Sequence, residues 1–406
     1  MKILVINQYF YPDIAATSQI ITDLSVELTK IFDLTVLCGK PSYNPADSPK
    51  IKFFKLYNFK NCKVIRVWNT SYSRKSLKGR ITNYFTFMFS GMLASLLLRG
   101  YHLTFSMTDP PFAGFISYIN YKLKKIPYII TLQDIHPDIE LHTALLKKYI
   151  ITKTWIKLNK LIFNNSKKII VLGNSMKNYL IKEYEVPSDK IVIIPNYIND
   201  EEVVPQAKMN KFLQDKEFKN CFIVMHSGNI GLNQDLHIVI EAAKLLSIYS
   251  DIAFIFIGDG ASKEELVKRT KNYNLKNVYF LQYQPKEELS YSLSSADIHL
   301  ITLASGLTNY IFPSKLYAIM AVGKPSIACI DNESDVAQII KEAKCGIHIE
   351  PHNANKLAET ILYLYNNRDL LSEMGKNARS YLEKYLRRKY VIDKYVNLIK
   401  SLQEKL

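Results

Sequence analysis

The chain has few of the residues that mark disulfides, metal sites or membrane spans. Its five cysteines are scattered, with no CxxC pair and no histidine-rich cluster beside them. This pattern predicts a reducing, cytoplasmic environment and no structural metal. No run of about twenty apolar residues occurs, and the N-terminal stretch MKILVINQYF lacks the small-residue cleavage site of a signal peptide. We therefore expect neither a membrane-spanning helix nor a cleaved leader.

Several binding signatures are also missing. No GxGxxG follows the first strand and no GxxxxGK[ST] occurs, which disfavours a dinucleotide-dependent dehydrogenase and a P-loop NTPase. No helix-turn-helix, RRM or zinc-finger pattern occurs either. The formal net charge is nevertheless +16, so we expect an anionic partner: a phosphorylated substrate, an anionic membrane or nucleic acid. Lysine is abundant throughout the chain, and charge alone does not choose among these three.

The length and the apolar patterning predict two α/β domains. A chain of 406 residues is too long for one ordinary core. Strands such as KILVINQYF alternate with helices such as SQIITDLSVELTKI, and the second half repeats the theme, which predicts parallel sheets covered on both faces. We expect two doubly wound, Rossmann-like domains, residues 1–198 and 219–378, that face each other across a cleft. A polar linker is predicted at 199–218, and helices at 379–406 could cross back to the first domain.

Three turns in the second half indicate an anion site. They follow predicted strands or open a helix, and each alone is weak because tight turns are common. Together they converge on one sheet edge, where a diphosphate would receive backbone N–H groups, a hydroxyl and an ammonium group. A solvated first-turn lysine is the alternative for Lys315, but a cation at a helix N-terminus is unfavourable unless an anion offsets it. The turns are Gly228-Asn229-Ile230-Gly231, Gly258-Asp259-Gly260 and Pro313-Ser314-Lys315-Leu316.

The segment QDIHPD in the first half follows the predicted strand PYIITL. It places Asp134, His136 and Asp138 within one short loop. Aspartate and proline are common in turns, but a pure turn rarely needs all three titratable groups. We favour Asp134 or His136 as a site residue, and the sequence does not choose between them.

Two further loops end strands on the same side. The first runs from Tyr11 to Ser18, and Thr17 and Ser18 predict the N-terminal cap of the next helix. A plain capped loop explains its Pro12 and Asp13 as well as a function does. The second loop contains Asp109 before two prolines, and its role stays open.

At this point the chain resembles a known family. The stretches NQYFYPDIAATSQIITDL, LQDIHPD, VIIPNYI, HSGNIGLNQDLHIVIEAA, FIFIGDGASKEEL and FPSKLYAIMAVGKPSIA are similar to those of the retaining glycosyltransferases of family 4, which have the GT-B fold. Within that family the chain looks most like bacterial enzymes of O-antigen and capsule assembly, such as the N-acetyl-L-fucosaminyl transferases. The resemblance spans nearly the whole chain.

The resemblance implies site residues. Lys315, with Asp134 and His136, is the candidate catalytic set, and no metal or other cofactor is implied, in line with the missing DxD motif. The implied donor-binding residues are Gly228, Asn229, Gly258, Asp259, Gly260, Tyr283, Gln284, Pro313, Ser314, Lys315 and Leu316. Ala15, Ala16, Thr17 and Asp109 would lie near the donor phosphate or the acceptor.

The chain departs from the family pattern at several of these positions. Many relatives carry two glutamates eight residues apart, where this chain has Tyr310 and Ala318. Relatives also often carry an arginine and a lysine that hold the diphosphate, where this chain has Asn229 and Gln234. Lys315 is therefore interpreted as the substitute phosphate ligand, and no carboxylate is assigned to the donor ribose.

The resemblance also implies a reaction. A sugar, with an N-acetylated deoxyhexose among the candidates, would move with retention from a UDP-linked donor to a polyprenyl-diphosphate-linked glycan of a surface polysaccharide. The leaving diphosphate oxygen would deprotonate the acceptor hydroxyl. Two alternatives stay open: a nucleotide-sugar enzyme of the same fold with a soluble acceptor, and a basic nucleic-acid-binding protein.

Two basic and aromatic stretches bear on the membrane. RKSLKGRITNYFTFMFSGMLASLLLRGYH joins Arg74, Lys75, Lys78 and Arg80 to a long apolar segment, a combination typical of interfacial helices. A buried helix preceded by a basic loop is the alternative. The second stretch is YLEKYLRRKYVIDKYV, for which a solvated helix face is the alternative. We expect a peripheral protein on the cytoplasmic face of the inner membrane, bound to its anionic leaflet, with no nucleic-acid partner.

Overall fold

The computed structural model describes residues 1–13, 15–41, 51–72, 77–144, 146 and 149–404. The chain divides into two compact units, Met1–Pro195 with Val391–Leu406, and Asn196–Tyr390. The predicted linker at 199–218 contains no helix or strand. It belongs to the second unit, because Phe212, Leu213 and Phe218 are buried in a core cluster of that unit.

The first unit is built on an eight-stranded sheet. Its strands are β1 (Lys2–Ile6), β2 (Asp33–Cys38), β3 (Phe54–Phe59), β4 (Cys62–Val67), β5 (Leu103–Met107), β6 (Tyr128–Thr131), β7 (Lys168–Val171) and β8 (Ile191–Ile193). Their order is β3-β4-β2-β1-β5-β6-β7-β8. Its helices are α1 (Ala16–Leu28), α2 (Leu77–Leu97), α3 (Ala113–Lys124), α4 (Asp138–His142), α5 (Ile150–Asn165) and α6 (Asn174–Tyr184).

The strand sequences explain this sheet. Every residue of β5 and β6 is buried, as expected for parallel strands covered on both faces. All neighbouring strands are parallel except β3, which pairs antiparallel with β4 at the edge. The sequence analysis missed β3, because this edge strand is largely exposed and lacks a buried apolar run.

The second unit has a six-stranded, fully parallel sheet. Its strands are β9 (Phe222–Ser227), β10 (Ile252–Ile257), β11 (Val278–Leu281), β12 (Ile298–Thr302), β13 (Ser326–Cys329) and β14 (Gly346–Ile349), in the order β11-β10-β9-β12-β13-β14. Its helices are α7 (His237–Leu245), α8 (Lys263–Asn272), α9 (Leu289–Ser294), α10 (Lys315–Ala321), α11 (Asp335–Ala343), α12 (Ala354–Asn366) and α13 (Arg368–Tyr381).

The C-terminal segment is helical but interrupted. A π-helical stretch, Leu382–Leu386, follows α13, and the last helix is α14 (Arg388–Gln403). From Val391 onward the chain belongs to the first unit. There the ring of Tyr395, 1% exposed, lies 6.0 Å from that of Phe105. None of the helices in the described ranges has the length and apolar character needed to span a bilayer.

Each sheet reverses its winding at one place. In the first unit the reversal lies between β1 and β5, and in the second it lies between β9 and β12. Ligands of open α/β sheets bind outside the carboxyl ends of the strands at such switch points. The loops that follow β1, β5, β9 and β12 are therefore where a site is expected.

A buried arginine holds the loops near the first switch point. Arg66, on β4, is only 2% exposed. Its guanidinium donates to the carbonyl oxygen of Gly39 at 2.7 Å, to the hydroxyl of Tyr57 at 2.7 Å and to the carbonyl oxygen of Tyr11. Removing one partner of a buried charged network leaves the others unsatisfied, so Arg66 is a strong stabilising contact of this unit.

We expect Arg66→Met to lower the free energy of unfolding by about 3 kcal/mol, because buried carbonyl and hydroxyl groups lose their charged donor. Both tryptophans, Trp68 and Trp155, lie in the first unit, so their fluorescence during urea unfolding follows this unit selectively. Arg99→Met is the matched control, since Arg99 is exposed on the same unit and its loss should cost less than about 1 kcal/mol. Equal urea midpoints for the two variants would show that the contacts of Arg66 are not stabilising.

Candidate functional site

A lysine joins the two sides of the switch point in the second unit. Lys315 is the first residue of α10, in the segment that follows β12. Its Nζ lies 3.0 Å from Oε1 of Gln234, on the turn after β9. The same Nζ lies 3.3 and 3.4 Å from the two ring nitrogens of His226, on β9 itself. Both sides of the switch point therefore contribute to one polar cluster.

The charge of this cluster is not compensated. Burial lowers the pKa of Lys315 to about 7, and no carboxylate in the described part of the chain forms an ion pair with it. Burial, and then the charge of Lys315, lowers the pKa of His226 well below its usual value. His226 is therefore neutral at pH 7, and one of its ring nitrogens lies 3.2 Å from the carbonyl oxygen of Asn229. An anion would complete the cluster.

Glycine lets the neighbouring turns approach this cluster closely. Gly258 has φ +144°, and a Cβ there would lie 2.0 Å from the carbonyl oxygen of Gly228. A Cβ on Gly260 would lie 2.3 Å from the carbonyl oxygen of Ile230. A Cβ on Gly228 would lie 3.9 Å from Cε of Lys315. The two glycine turns and Lys315 thus form one surface, which we call the donor cluster.

Other predicted donor residues surround this surface to different degrees. The hydroxyl of Tyr283 lies 3.5 Å from the carbonyl oxygen of Asp259, so its ring stands over the second glycine turn. The Asp259 carboxylate accepts from the backbone N–H of Gly260 at 2.9 Å, and Asn229 is exposed beside that glycine. Gln284 instead donates from its side chain to its own loop, at Gln282. The structure therefore brings Tyr283, but not the Gln284 side chain, to the donor cluster.

The N-terminus of α10 offers fewer groups for binding an anion than the sequence predicted. The helix has only seven residues, and Ser314 makes no side-chain capping hydrogen bond. Pro313 is buried, and Leu316 packs in the core while its N–H donates to the carbonyl oxygen of Pro313 at 3.3 Å. A helix of two turns has few aligned dipoles. The attraction for an anion thus rests mainly on the Lys315 ammonium.

A polar cluster also lies in the first unit, in the segment that follows β6. Nδ1 of His136 lies 2.7 Å from Oε1 of Glu140. Burial opposes protonation of His136, but the hydrogen bond and charge of Glu140 outweigh it, so the pKa of His136 is raised. Burial, together with the nearby Asp109 and Glu140, raises the pKa of Asp134 to about 6, although His136 opposes the shift. Asp134 and His136 line one small cavity.

The third titratable group of this loop has a different role. The Asp138 carboxylate accepts hydrogen bonds of 2.5 Å from the hydroxyls of Tyr179 and Tyr184. Asp138 is therefore engaged in packing α4 against α6. The sequence analysis missed Glu140 as the partner of His136, because His136 precedes α4 and the spacing rule for pairs on one helix does not apply to it.

The predicted helix cap in the first loop is wrong. Helix α1 begins at Ala16 with Ala15 as its N-cap, and no side chain caps it. Thr17 lies in the first turn, where its hydroxyl donates to Oδ2 of Asp109 in the loop after β5. This hydroxyl is engaged by a carboxylate rather than by the backbone. The first switch point thus brings the loop of Ala15, Ala16 and Thr17 together with Asp109.

Two family models match most of the chain. The model described as Glycosyltransferase Family 4 matches residues 18–202, and the model described as Glycosyl transferases group 1 matches residues 208–381. The first match lies mainly in the first unit, and the second lies in the second unit.

Known proteins that are similar to this chain in sequence are also described as glycosyltransferases. Probable glycosyltransferase WbjE of Pseudomonas aeruginosa is 25% identical over 379 residues, which cover 92% of this chain and 90% of the relative. O-antigen chain mannosyltransferase C of Escherichia coli is 23% identical over 277 residues, 68% of this chain and 70% of the relative.

A solved structure shows the same fold. Anabaena Alr3699/HepE in complex with UDP and glucose superimposes with a TM-score of 0.76 at 15% identity, over 99% of this chain and all of that chain. With its two family domains and its two Rossmann-like units, the chain belongs to the family 4 glycosyltransferases of the GT-B fold.

Proposed function

We propose that this glycosyltransferase moves a sugar, with retention, from a UDP-sugar to a polyprenyl-diphosphate-linked glycan during the synthesis of a surface polysaccharide. One observation carries the proposal: the Lys315 ammonium, without a carboxylate partner among the described residues, lies against two glycine turns at a switch point. A diphosphate supplies the missing negative charge, and the glycine turns let backbone approach it closely.

The donor cluster suits the chemistry of a leaving diphosphate. Negative charge develops on that group as the bond to the sugar breaks, and a fixed cation in a poorly solvated site stabilises it strongly. In this proposal Lys315 supplies that charge and no metal ion takes part in the transfer. The leaving diphosphate oxygen accepts the proton of the acceptor hydroxyl. Asp134 and His136 are assigned to the acceptor, whose hydroxyl groups they can bind as hydrogen-bond partners.

The proposed donor nucleotide and sugar are chosen by similarity to other proteins. UDP is chosen because Alr3699/HepE, of the same fold, has a structure with UDP and glucose. An N-acetylated deoxyhexose stays the candidate sugar, on the resemblance to the N-acetyl-L-fucosaminyl transferases. The acceptor class is supported by the O-antigen chain mannosyltransferase among the relatives.

Helix α2 supports an acceptor held at a membrane, because it exposes a row of apolar side chains. The face that packs inward is small or polar at most positions, with Asn83, Gly91 and Ser95 buried beside Phe87. Met88 and Met92 pack against the core, but five other apolar residues face outward at a spacing of four, and they are 41% to 82% exposed. A soluble helix normally buries its apolar face. The outward residues, which we call the α2 stripe, are Ile81, Phe85, Phe89, Leu93 and Leu97.

The α2 stripe continues onto a second helix. Phe85 stacks on Phe112 with ring centroids 5.3 Å apart, and Phe112 packs on Trp155 of α5 at 4.7 Å. At the start of α5, Ile150 and Ile151 are about 80% exposed. The continuous exposed surface is larger than a single helix face, which favours a bilayer over a narrow groove-bound peptide.

Basic residues flank this surface. Lys78 and Arg80 on α2 and Lys153 and Lys157 on α5 are exposed, which complements an anionic bilayer surface. Arg74 and Lys75 lie outside the described residues. The other basic and aromatic stretch contributes less, because its Tyr395 is buried. We therefore propose peripheral attachment to the cytoplasmic leaflet through the α2 stripe and α5.

The donor assignment predicts a specific thermal response. In a panel of UDP-, GDP- and dTDP-sugars, a UDP-sugar should raise the melting temperature most, because a ligand that binds only the folded state stabilises it. Lys315→Ala should abolish that shift and lower kcat about 100-fold or more while the fold persists. Lys268→Ala, which removes an exposed lysine of the same unit, should keep both. Near-normal turnover in Lys315→Ala would refute the assignment.

The pH dependence of UDP affinity offers a second check on the same residue. Since the pKa of Lys315 is lowered to about 7, the free enzyme loses the ammonium charge as pH rises through that value. UDP affinity, measured calorimetrically, should therefore fall between about pH 7 and 9. Lys315→Arg keeps its charge over this range, and its affinity should change much less with pH. An identical pH profile for both proteins would contradict a role of the Lys315 charge.

The membrane assignment predicts selective binding to anionic vesicles. The double variant Phe89→Ser with Leu93→Ser should weaken co-sedimentation with phosphatidylglycerol vesicles about tenfold or more, because two half-exposed apolar side chains no longer insert. Its stability should change little, since both residues are exposed.

The matched control removes exposed apolar residues from the second unit. Leu245→Ser with Ile248→Ser, at positions 50% and 82% exposed, should leave vesicle binding unchanged. If wild-type protein stays in the supernatant with anionic vesicles while it still binds UDP, the membrane proposal is wrong and the donor assignment is unaffected.

A further inference from the structure

The second unit contains another polar cluster, formed by Asp235, His237 and His352. Asp235 directly follows Gln234 in the sequence. Asp235 is almost fully buried, with its side chain 1% exposed, while His237 and His352 are about half exposed. Nδ1 of His237 lies 3.0 Å from Oδ1 of Asp235, and Nδ1 of His352 lies 2.8 Å from Oδ2. The two imidazole rings are stacked with their centroids 6.3 Å apart.

The buried carboxylate of this cluster is incompletely satisfied. Oδ2 of Asp235 accepts the backbone N–H of His352 at 3.1 Å. Oδ1 is buried and receives no hydrogen bond of acceptable geometry, although the His237 ring is near. A buried carboxylate oxygen without a donor is costly, and a cation at this position would satisfy it.

We propose that Asp235, His237 and His352 form a zinc site. One ligand atom from each residue lies within 4.8 Å of the others, so small side-chain movements would bring all three to the distance of about 2.0–2.2 Å at which zinc is bound. Two imidazoles and one carboxylate suit Zn²⁺ or a similar first-row ion, whereas Ca²⁺ and Mg²⁺ prefer oxygen ligands. The exposed histidines leave a path from solvent, and water would complete the coordination.

The ion would link three segments of the second unit. Asp235 follows β9, His237 opens α7, and His352 lies in the turn between β14 and α12, 117 residues from Asp235. The neighbouring Gln234 is the residue that contacts Lys315, so zinc would fix the segment that carries it. The ion has no part in the transfer step, and the proposal does not rest on the identity of the donor or acceptor.

Zinc binding by the full chain tests the site directly. Protein without a histidine tag is stripped with a chelator, freed of it, and titrated with Zn²⁺ against a chromophoric competitor. We expect one zinc ion per chain, a raised melting temperature with Zn²⁺, and no such rise with Mg²⁺. His237→Ala and His352→Ala should each weaken zinc binding about tenfold or more.

Two further variants separate ligation from side effects. Asp235→Asn should weaken binding equally while the fold persists, because Asp235 has φ 49° and asparagine tolerates this conformation well. His142→Ala removes an exposed histidine of the first unit and should bind zinc like the wild type. If the wild type binds no more zinc than His237→Ala with His352→Ala combined, or if His142→Ala is equally impaired, the site is wrong. Because UDP binding is not the readout, that result leaves the donor proposal standing.

Discussion

The contact of the Lys315 ammonium with Gln234 and His226 is the interaction on which the candidate site depends. It joins the two segments that the sheet brings together at its switch point. Burial makes the charge costly, and neither Gln234 nor the neutral His226 carries a negative charge that would offset it. Such an arrangement is unfavourable in the free protein and becomes favourable when an anion binds. The site is thus prepared for a negatively charged ligand at some cost to stability, as is common for functional sites.

The two units use different side chains at the switch points of their sheets. In each, the strand order of the sheet reverses once, and segments on either side of the reversal form a polar contact. Thr17 and Asp109 make this contact in the first unit, and Lys315 and Gln234 make it in the second. The first unit adds carboxylates and a histidine, whereas the second offers glycine turns and a cation. This difference in charge supports the assignment of diphosphate to the second unit and of hydroxyl groups to the first.

Surface chemistry adds a separate constraint. The α2 stripe turns apolar side chains outward while Asn83 and Ser95 face the core, where Asn120 donates to the Ser95 hydroxyl. A periodic apolar pattern shows that a helix has an apolar face but not where that face points, because neighbouring polar residues determine which side can be buried. From the sequence, α2 could therefore be either an interfacial helix at a membrane or a buried helix. In the folded chain the α2 stripe is exposed, which is the observation behind the proposed membrane attachment.

The sequence by itself determined the fold class, the family and most of the strands, because runs of buried apolar residues and turn residues are local signals. It also placed the glycine turns, Asp134 and His136 at strand ends, and Lys315 at the start of a helix. It did not determine β3, the start of α1, or the partners of these residues. Thr17 donates a hydrogen bond to Asp109, and Asp138 accepts hydrogen bonds from two tyrosines. Asp235 accepts one from the backbone of a histidine 117 residues away. Only tertiary structure decided these pairs, since hydrogen bonding and burial depend on which distant segments the sheet order makes adjacent.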